Sequence, residues 1–151
     1  MHKIPNDYIK VIKKIYNKLL NPKIEWYITG KTNLVLQGIN TKPSHIGILI
    51  HEKDLQNFLS LFEDYKKSKI VELKNGEAKE FTIHIENVKV LVCAEYDHET
   101  YWTVFKKPTL LELENIKLPC FNLKSEKDAY INLGMLKKAR IIEEFIRKTT
   151  T

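Results

Sequence analysis

The chain has 151 residues, of which 43% are hydrophobic and 29% are charged. This length suffices for one domain with a single core and is too short for two domains of ordinary size. No apolar run approaches the ~20 residues that a membrane-spanning helix needs, and the first residues lack the apolar stretch of a signal peptide. We therefore expect one cytoplasmic domain over residues 1–151, without membrane contact.

Lysine carries almost all of the positive charge. The net charge is +6, and the only arginines are Arg140 and Arg147. A basic balance permits nucleic-acid binding but does not establish it. Arginine is the residue favoured for bidentate contacts to phosphates and bases, so the composition leaves RNA binding open.

The first third of the chain alternates between helix and strand. Apolar residues at 3.6-residue spacing predict an opening helix that Asn6 or Asp7 can cap. Gly38 is positioned to end a second, short helix. The predicted elements are a helix over 7–20, a strand over 25–29, a short helix over 32–37 and a buried strand over 46–50.

The middle of the chain predicts hairpins. Asn75-Gly76 is a strong turn signal between β-rich segments, and Glu86-Asn87 is a weaker one. The segment after them is irregular and rich in aromatic residues, which predicts a packed loop. The predicted elements are a helix over 54–62, strands over 70–73, 81–85 and 88–93, and a loop over 95–107.

The last third predicts short strands followed by two helices. Ser125-Glu126-Lys127-Asp128 has the pattern of a capping box, and Gly134 separates the helix that it opens from the final one. Interleaved helices and hairpins predict an α/β (α+β) fold with a mixed sheet flanked by helices. The predicted divisions are a helix over 7–20, a core over 24–121, which includes one or two strands over 110–118, and C-terminal helices over 125–148.

Residues 26–50 carry the most informative pattern. An apolar strand ends at Gly30, a short helix follows, and a polar loop leads through Pro43 and Ser44 into the second strand. This order resembles the first motif of the DNA polymerase beta-like nucleotidyltransferase superfamily, in particular its small bacterial and archaeal members. The segment around Pro119, with the capped helix and lysine-rich final helix after it, is similar to the tails of that family. The resemblance implies a nucleotidyltransferase-like core.

The departures from the family lie at its functional positions. The family has two aspartates at alternate positions of the second strand and a third carboxylate on a later strand. Here His45 and Gly47 hold the first two positions, Lys89 is the best match to the third, and Lys31 follows Gly30 where the family has a small residue. The change is from a charge of about −3 to about +1, whereas two magnesium ions need hard oxygen ligands. The resemblance therefore implies a chain without the family's catalytic residues, metal or cofactor.

A phosphate could bind at the motif-equivalent positions without metal. Lys31 and Lys89 would face the cleft, and a helix beginning near Thr32 would add N–H donors. The alternative is that both lysines simply reach solvent. The candidate binding positions are Gly30, Lys31, Thr32, His45, Gly47 and Lys89.

Gly30-Lys31-Thr32 also looks like the end of a phosphate-binding P-loop. That loop needs a glycine five positions before its last one, because the backbone must approach the phosphate closely. Glu25 stands there instead. We therefore interpret this match as chance.

The histidines and cysteines do not predict a zinc site. His45 and His51 lie at opposite ends of one predicted strand, ~20 Å apart, and a site needs three or four ligands. Whether His51 or His84 is the proposed partner, a surface or hydrogen-bonded histidine is the better interpretation of His45. Cys93 and Cys120 have no metal-finger spacing, and each lies in an apolar stretch. We expect two buried free thiols.

The preferred interpretation is a degenerate, non-catalytic protein that keeps the nucleotidyltransferase scaffold to bind a nucleotide, RNA or a protein partner, including another copy of itself. An active enzyme would need a metal-free mechanism, or carboxylates from Glu52, Asp54, Glu95 or Asp97. The cluster of Glu95, Asp97 and Glu99 is more typical of a solvated turn. A third interpretation is a purely structural or oligomer-forming domain.

Overall fold

The computed structural model describes residues 3–21, 23–73, 78–96 and 107–150. In these ranges, eight strands form one sheet that is flanked by five α-helices. The strands are β1 (Trp26–Thr29), β2 (Ile46–His51), β3 (Lys66–Lys67), β4 (Val71–Glu72), β5 (Ala78–Ile85), β6 (Val88–Glu95), β7 (Thr109–Leu113) and β8 (Ile116–Cys120). The helices are α1 (Asn6–Lys18), α2 (Gly30–Leu36), α3 (Leu55–Leu61), α4 (Leu123–Asn132) and α5 (Leu136–Thr149).

The sheet is mixed, as predicted. Its strand order is β3-β5-β6-β2-β1-β8-β7, and β4 also pairs with β5. The central strand β2 is antiparallel to β1 and parallel to β6, while β1 is parallel to β8. The hairpins β5–β6 and β7–β8 are antiparallel. The predicted fold class, a mixed sheet flanked by helices, is confirmed.

The two faces of the sheet pack against different helices. Successive side chains of a strand point to opposite faces, and Ile46, Ile48 and Ile50 of β2 join the cluster that contains the buried residues of α1 and α3. On the other face, Leu49 packs with Ala129 of α4. The main cluster on the α1 side includes Val11, Ile12, Ile15, Phe58, Phe62, Phe81, Val90 and Val92.

Two hairpin turns share one backbone geometry. Glu86 and Asn87 have φ angles of 48° and 68°, and Glu114 and Asn115 have φ angles of 45° and 74°. Positive φ at both central residues is the geometry of a two-residue type I′ turn. The predicted Glu86-Asn87 turn is confirmed, and the second turn divides the segment predicted over 110–118 into two strands. The predicted Asn75-Gly76 turn lies outside the described residues.

The first three helices begin at different residues from those predicted. The carbonyl of Pro5 already accepts a helical N–H, so α1 begins at Asn6 and no side chain caps it. The predicted cap by Asn6 or Asp7 is therefore wrong. Helix α2 begins at Gly30, two residues earlier than predicted. The third predicted helix divides into a 3-10 turn over Glu52–Asp54 and α3.

The predicted capping box at the start of α4 is also wrong. Asn122 is the N-cap, and its side-chain oxygen accepts the N–H groups of Lys124 and Ser125 at 2.9 and 3.3 Å. Helix α4 therefore begins at Leu123, and Ser125 and Glu126 are buried inside its first turns. Glu126 therefore lies one turn before the buried Ala129 and Tyr130, on the inner side of α4 and away from a capping role.

Helix α5 closes the chain as an amphipathic helix. Ala139 and Ile142 are buried, and Ile142 packs with Leu34 and Tyr130. No helix in the described part of the chain is both long enough and apolar enough to cross a membrane. The burial of one face is what holds α5 beside α2 and α4.

Replacing Ile142 with Ala should lower the free energy of unfolding by about 2–5 kcal/mol, because the removed side chain leaves a cavity in the core. The matched control is Ile141→Ala, which truncates a side chain that is 45% exposed and should change stability by about 0.5 kcal/mol or less. Urea denaturation measures both. Equal losses for the two variants would contradict the burial of α5 on this face.

Candidate functional site

A cavity of about 370 Å³ lies between the sheet and the junction of α4 with α5. Cavities of ~300–1,000 Å³ are the usual size for small-molecule sites. All but one of the β2 and β6 residues that line it are odd-numbered, so the cavity lies on the sheet face opposite α1 and α3. Its lining includes Thr29, Gly30, His45, Gly47, Leu49, Ala78, Glu80, Leu91, Cys93, Glu95, Glu126, Tyr130, Leu133, Met135 and Lys138.

Three of the predicted site residues, Gly30, His45 and Gly47, line this cavity. Lys31 and Lys89 are exposed and lie close enough to His45 for their charges to act on its ring. Thr32 is different, because it is fully buried and its hydroxyl donates to the backbone carbonyl of His45 at 2.6 Å. The structure therefore gives Thr32 a positioning contact that holds the start of β2 against α2.

Gly47 has no room for a side chain. It pairs with Thr29 across the β1–β2 ladder, and a Cβ at position 47 would lie 2.7 Å from the carbonyl oxygen of Thr29 and 2.9 Å from its hydroxyl. Real Cβ atoms do not approach a backbone oxygen this closely, so the strand would have to move. A carboxylate at position 47 would require β1 and β2 to separate.

His45 is neutral in a cationic neighbourhood. Burial of the ring lowers the pKa of His45, and the charges of Lys89, Lys138 and Lys31 lower this pKa further. Its Nδ1 lies 3.2 Å from the hydroxyl oxygen of Ser44. The three lysines come from α2, β6 and α5, so the tertiary structure brings them together around one ring.

The register of β2 with β6 fixes where Lys89 lies. Gly47 is beside Leu91 and Ile46 is beside Val90, so Lys89 lies at the level of His45. The residue next to Gly47 on β6 is therefore the apolar Leu91. Lys89 contributes charge at the rim and Leu91 contributes apolar surface to the cavity.

Glu126 is the most unusual group of the cavity. It is only 2% exposed, and its Oε1 accepts the backbone N–H of Gly30 at 2.5 Å. Its Oε2 is buried and has no hydrogen-bond partner among the described residues. Burial raises the pKa of Glu126 to about 8, although the Gly30 N–H, the nearby Tyr130 hydroxyl and the charge of Lys138 favour the ionised form. Glu126 is therefore mostly protonated at pH 7.

The other end of the cavity is acidic. Glu80 and Glu95 line it on either side of Cys93, and Glu95 is 2% exposed. Burial, together with these two carboxylates, raises the pKa of Cys93 well above its ordinary value. Both cysteines are free thiols, as predicted, but only Cys120 is fully buried, and Cys93 is partly exposed.

Two other candidate carboxylates, Glu52 and Asp54, do not line the cavity with Glu95. Glu52 forms an ion pair with Lys79 at 2.9 Å, and Asp54 ends the 3-10 turn. Asp97 and Glu99 lie outside the described residues. Across residues 3–21, 23–73, 78–96 and 107–150, no group of three or more His, Cys, Asp or Glu side chains is arranged to hold a metal ion.

The donor set at the start of β2 does not fit a pair of divalent cations. Magnesium needs several oxygen ligands, mainly carboxylates. A side chain at position 47 would displace the backbone of β1, the positive charges of three lysines act on His45, and the carboxyl beside Gly30 is largely neutral at pH 7. This end of the cavity is better suited to an anion than to a metal ion.

The fold resembles those of known proteins. No protein-family model and no curated protein matches the chain, but solved structures do. A Thermotoga maritima protein described as a "putative nucleotidyltransferase" superposes with a TM-score of 0.74 at 23% sequence identity, over 97% of each chain. The chain has a nucleotidyltransferase-like fold.

Two structures of the antibiotic-resistance factor ANT(2'')-Ia share this nucleotidyltransferase-like fold. One, in complex with adenylyl-2''-tobramycin, has a TM-score of 0.59 at 13% identity and covers 97% of this chain and 100% of the other. The solution structure has a TM-score of 0.62 at 12% identity, with coverages of 96% and 94%. Identities this low show the shared fold alone.

The sequence did not predict that Glu126, Tyr130 and Lys138 belong to the cavity. They lie more than 90 residues after Gly30 in the sequence, and only the packing of α4 and α5 brings them to it. The one local signal was the asparagine at the true cap position. With Asn122 as the N-cap, Glu126 lies within the helix, three and four residues before the buried Ala129 and Tyr130.

Gly47→Ala should lower the free energy of unfolding by about 1–3 kcal/mol, because the added methyl group overpacks against the backbone of β1. Ser44→Ala, at an exposed residue just before β2, is the control and should change stability by about 0.5 kcal/mol or less. Thermal or urea unfolding compares them. A Gly47→Ala variant as stable as the wild type would mean that the two strands can separate easily.

Glu126→Gln should make stability less dependent on pH. Because the folded state holds a proton that the unfolded state has lost, the wild-type free energy of unfolding should fall by up to about 1.4 kcal/mol per pH unit between about pH 5 and pH 8. Gln cannot titrate, so the free energy of unfolding of the variant, relative to that of the wild type, should rise steadily with pH across this window. Urea unfolding at pH 5, 6, 7 and 8 measures the difference.

The control for this measurement is Glu143→Gln, because Glu143 is exposed on α5. Its stability difference from the wild type should stay flat with pH. If the Glu126→Gln difference is equally flat, Glu126 is ionised in the folded protein at neutral pH.

Proposed function

We propose that this chain is a non-catalytic protein of nucleotidyltransferase-like fold that binds a nucleotide in the cavity without a metal ion. The observation that carries the proposal is the placement of three lysines around one end of the cavity: Lys138 lines it, Lys89 is level with His45 in the β2–β6 register, and Lys31 directly follows Gly30. A phosphate carries about −1.5 to −2 charges at pH 7. This neighbourhood attracts such a group and repels the divalent cations that nucleotidyl transfer uses.

The size and lining of the cavity support a nucleotide over a larger ligand. A volume of about 370 Å³ suits a small molecule, and the cavity floor contributes apolar surface from Leu49, Leu91 and Met135 on which a base or sugar can lie. The lysines are at one end only. The other end carries Glu80 and Glu95, so this division matches a ligand with an anionic phosphate and an uncharged body whose amino or hydroxyl groups can donate hydrogen bonds to carboxylates.

The lysines act through charge at the rim, so their loss should weaken binding without unfolding the protein. Removing one exposed charge near an anion typically costs a few-fold in affinity. The three together should weaken binding about tenfold or more. Thr32 and Gly47 act differently, since one positions β2 and the other keeps β1 close to it.

Calorimetric titration with AMP and ATP, in EDTA and in excess magnesium, tests the proposal. We expect binding in EDTA with a dissociation constant no more than about twofold different from that in magnesium. The triple variant Lys31→Gln, Lys89→Gln, Lys138→Gln should bind about tenfold or more weakly. The control is Lys10→Gln, which makes the same chemical change at an exposed residue of α1 on the opposite face of the sheet. This variant should bind AMP and ATP like the wild type.

Three outcomes would overturn the proposal. Nucleotide binding that requires magnesium, with release of pyrophosphate, would indicate an active transferase with unusual carboxylates such as Glu80 and Glu95. Retardation of RNA without binding of free nucleotides would indicate a nucleic-acid ligand. No binding of either would favour a structural or oligomer-forming domain.

A further inference from the structure

The unpartnered oxygen of Glu126 requires a physical explanation. Buried polar groups almost always have a hydrogen-bond partner, and leaving one without a partner costs about 1–3 kcal/mol. Oε2 of Glu126 is buried and lies within hydrogen-bond distance of no partner among the described residues, whereas Oε1 of the same carboxyl bonds to Gly30. The Tyr130 hydroxyl is close enough to favour the ionised form but does not complete a hydrogen bond to Oε2. The carboxyl lines the cavity, so a bound molecule can supply the missing partner.

The charge of the neighbourhood indicates what that molecule is. Lys138 acts electrostatically on both His45 and Glu126, so its ammonium group links the carboxyl to the lysine cluster at the rim. A ligand in this part of the cavity meets Lys138 and the Glu126 carboxyl together. An anion can satisfy both only if the carboxyl carries its proton, because an ionised carboxylate would repel it.

We propose that Oε2 of Glu126 is the protonated hydroxyl of a carboxylic acid and donates a hydrogen bond to a phosphate oxygen of the ligand, so that the cavity binds the anion together with one proton. This inference rests on the nucleotide proposal above and deepens it. It names a hydrogen-bond donor that the lysines do not provide. It also makes affinity depend on pH in a range where a phosphate group no longer titrates.

The groups that face Glu126 leave it as the one expected to titrate between pH 7 and pH 9. Burial raises the pKa of Tyr130 on α4 far above this range, and burial with the Glu126 charge raises the pKa of Cys120 on β8 to about 12. The pKa of His45 on β2 is lowered, so its ring is neutral throughout. Lys138 on α5 supplies a cationic charge, and Gly30 of α2 supplies only a backbone N–H.

The first experiment is titration with AMP at pH 7 and pH 9 in EDTA. Because Glu126 is mostly ionised at pH 9, the wild-type dissociation constant should rise about tenfold between the two pH values. In Glu126→Gln the side-chain oxygen can still accept from Gly30 and the amide donates at both pH values. Its dissociation constant should therefore change about twofold or less between pH 7 and pH 9. Glu143→Gln, at an exposed site on α5, should repeat the wild-type rise.

The second experiment uses the wild-type protein alone. Binding enthalpies of AMP at pH 8.5, in buffers of different ionisation enthalpy, give the number of protons exchanged. We expect uptake of about 0.8 proton per AMP bound. This measurement needs no variant, so it decides the question even if Glu126→Gln folds poorly.

The two proposals fail in different ways. Absence of AMP binding at both pH values overturns the nucleotide proposal and this inference with it. Binding with no proton uptake, or with the same tenfold change in Glu126→Gln as in the wild type, overturns only the role of Glu126. Proton release on binding would also overturn it, because it would mean that an ionised Glu126 contacts a cationic part of the ligand.

Discussion

The close pairing of β1 with β2 is the constraint from which the site follows. β2 lies in the middle of the sheet, antiparallel to β1 and parallel to β6, with Ile46, Ile48 and Ile50 buried against the helices of one face. At Gly47 the two strands approach so closely that the Thr29 carbonyl occupies the space of a side chain. The face that opens to the cavity therefore has bare backbone at Gly47, where a side chain would displace β1.

The charges of the side chains set the electrostatic character of this end of the cavity. Three lysines from three different elements act on His45 at one end of the cavity, and the carboxyl at that end is buried deeply enough to stay largely neutral at pH 7. A neutral carboxylic acid donates a hydrogen bond, whereas a carboxylate only accepts. Burial thus keeps Glu126 protonated, and a protonated Glu126 can donate a hydrogen bond to an anion instead of repelling it.

Segments with strong local patterns were predictable. The strand ending at Gly30, the buried strand β2, the Glu86-Asn87 turn and the final helix each follow from periodicity or turn chemistry within a few residues. Errors occurred where local signals competed. Asn122 and Ser125 are both good cap residues, and the sequence does not say which one the end of β8 brings to the start of α4.

The sequence by itself determined the fold class and the absence of aspartates at positions 45 and 47, because both depend on residue identity and short-range order. Tertiary structure alone decided that Lys138 and Glu126 join residues 30 and 45 at one cavity. It also decided that position 47 has no space for a side chain. The physical reason is that burial, desolvation and charge proximity arise between elements distant in sequence, so the protonation of Glu126 depends on what α4 and α5 pack against.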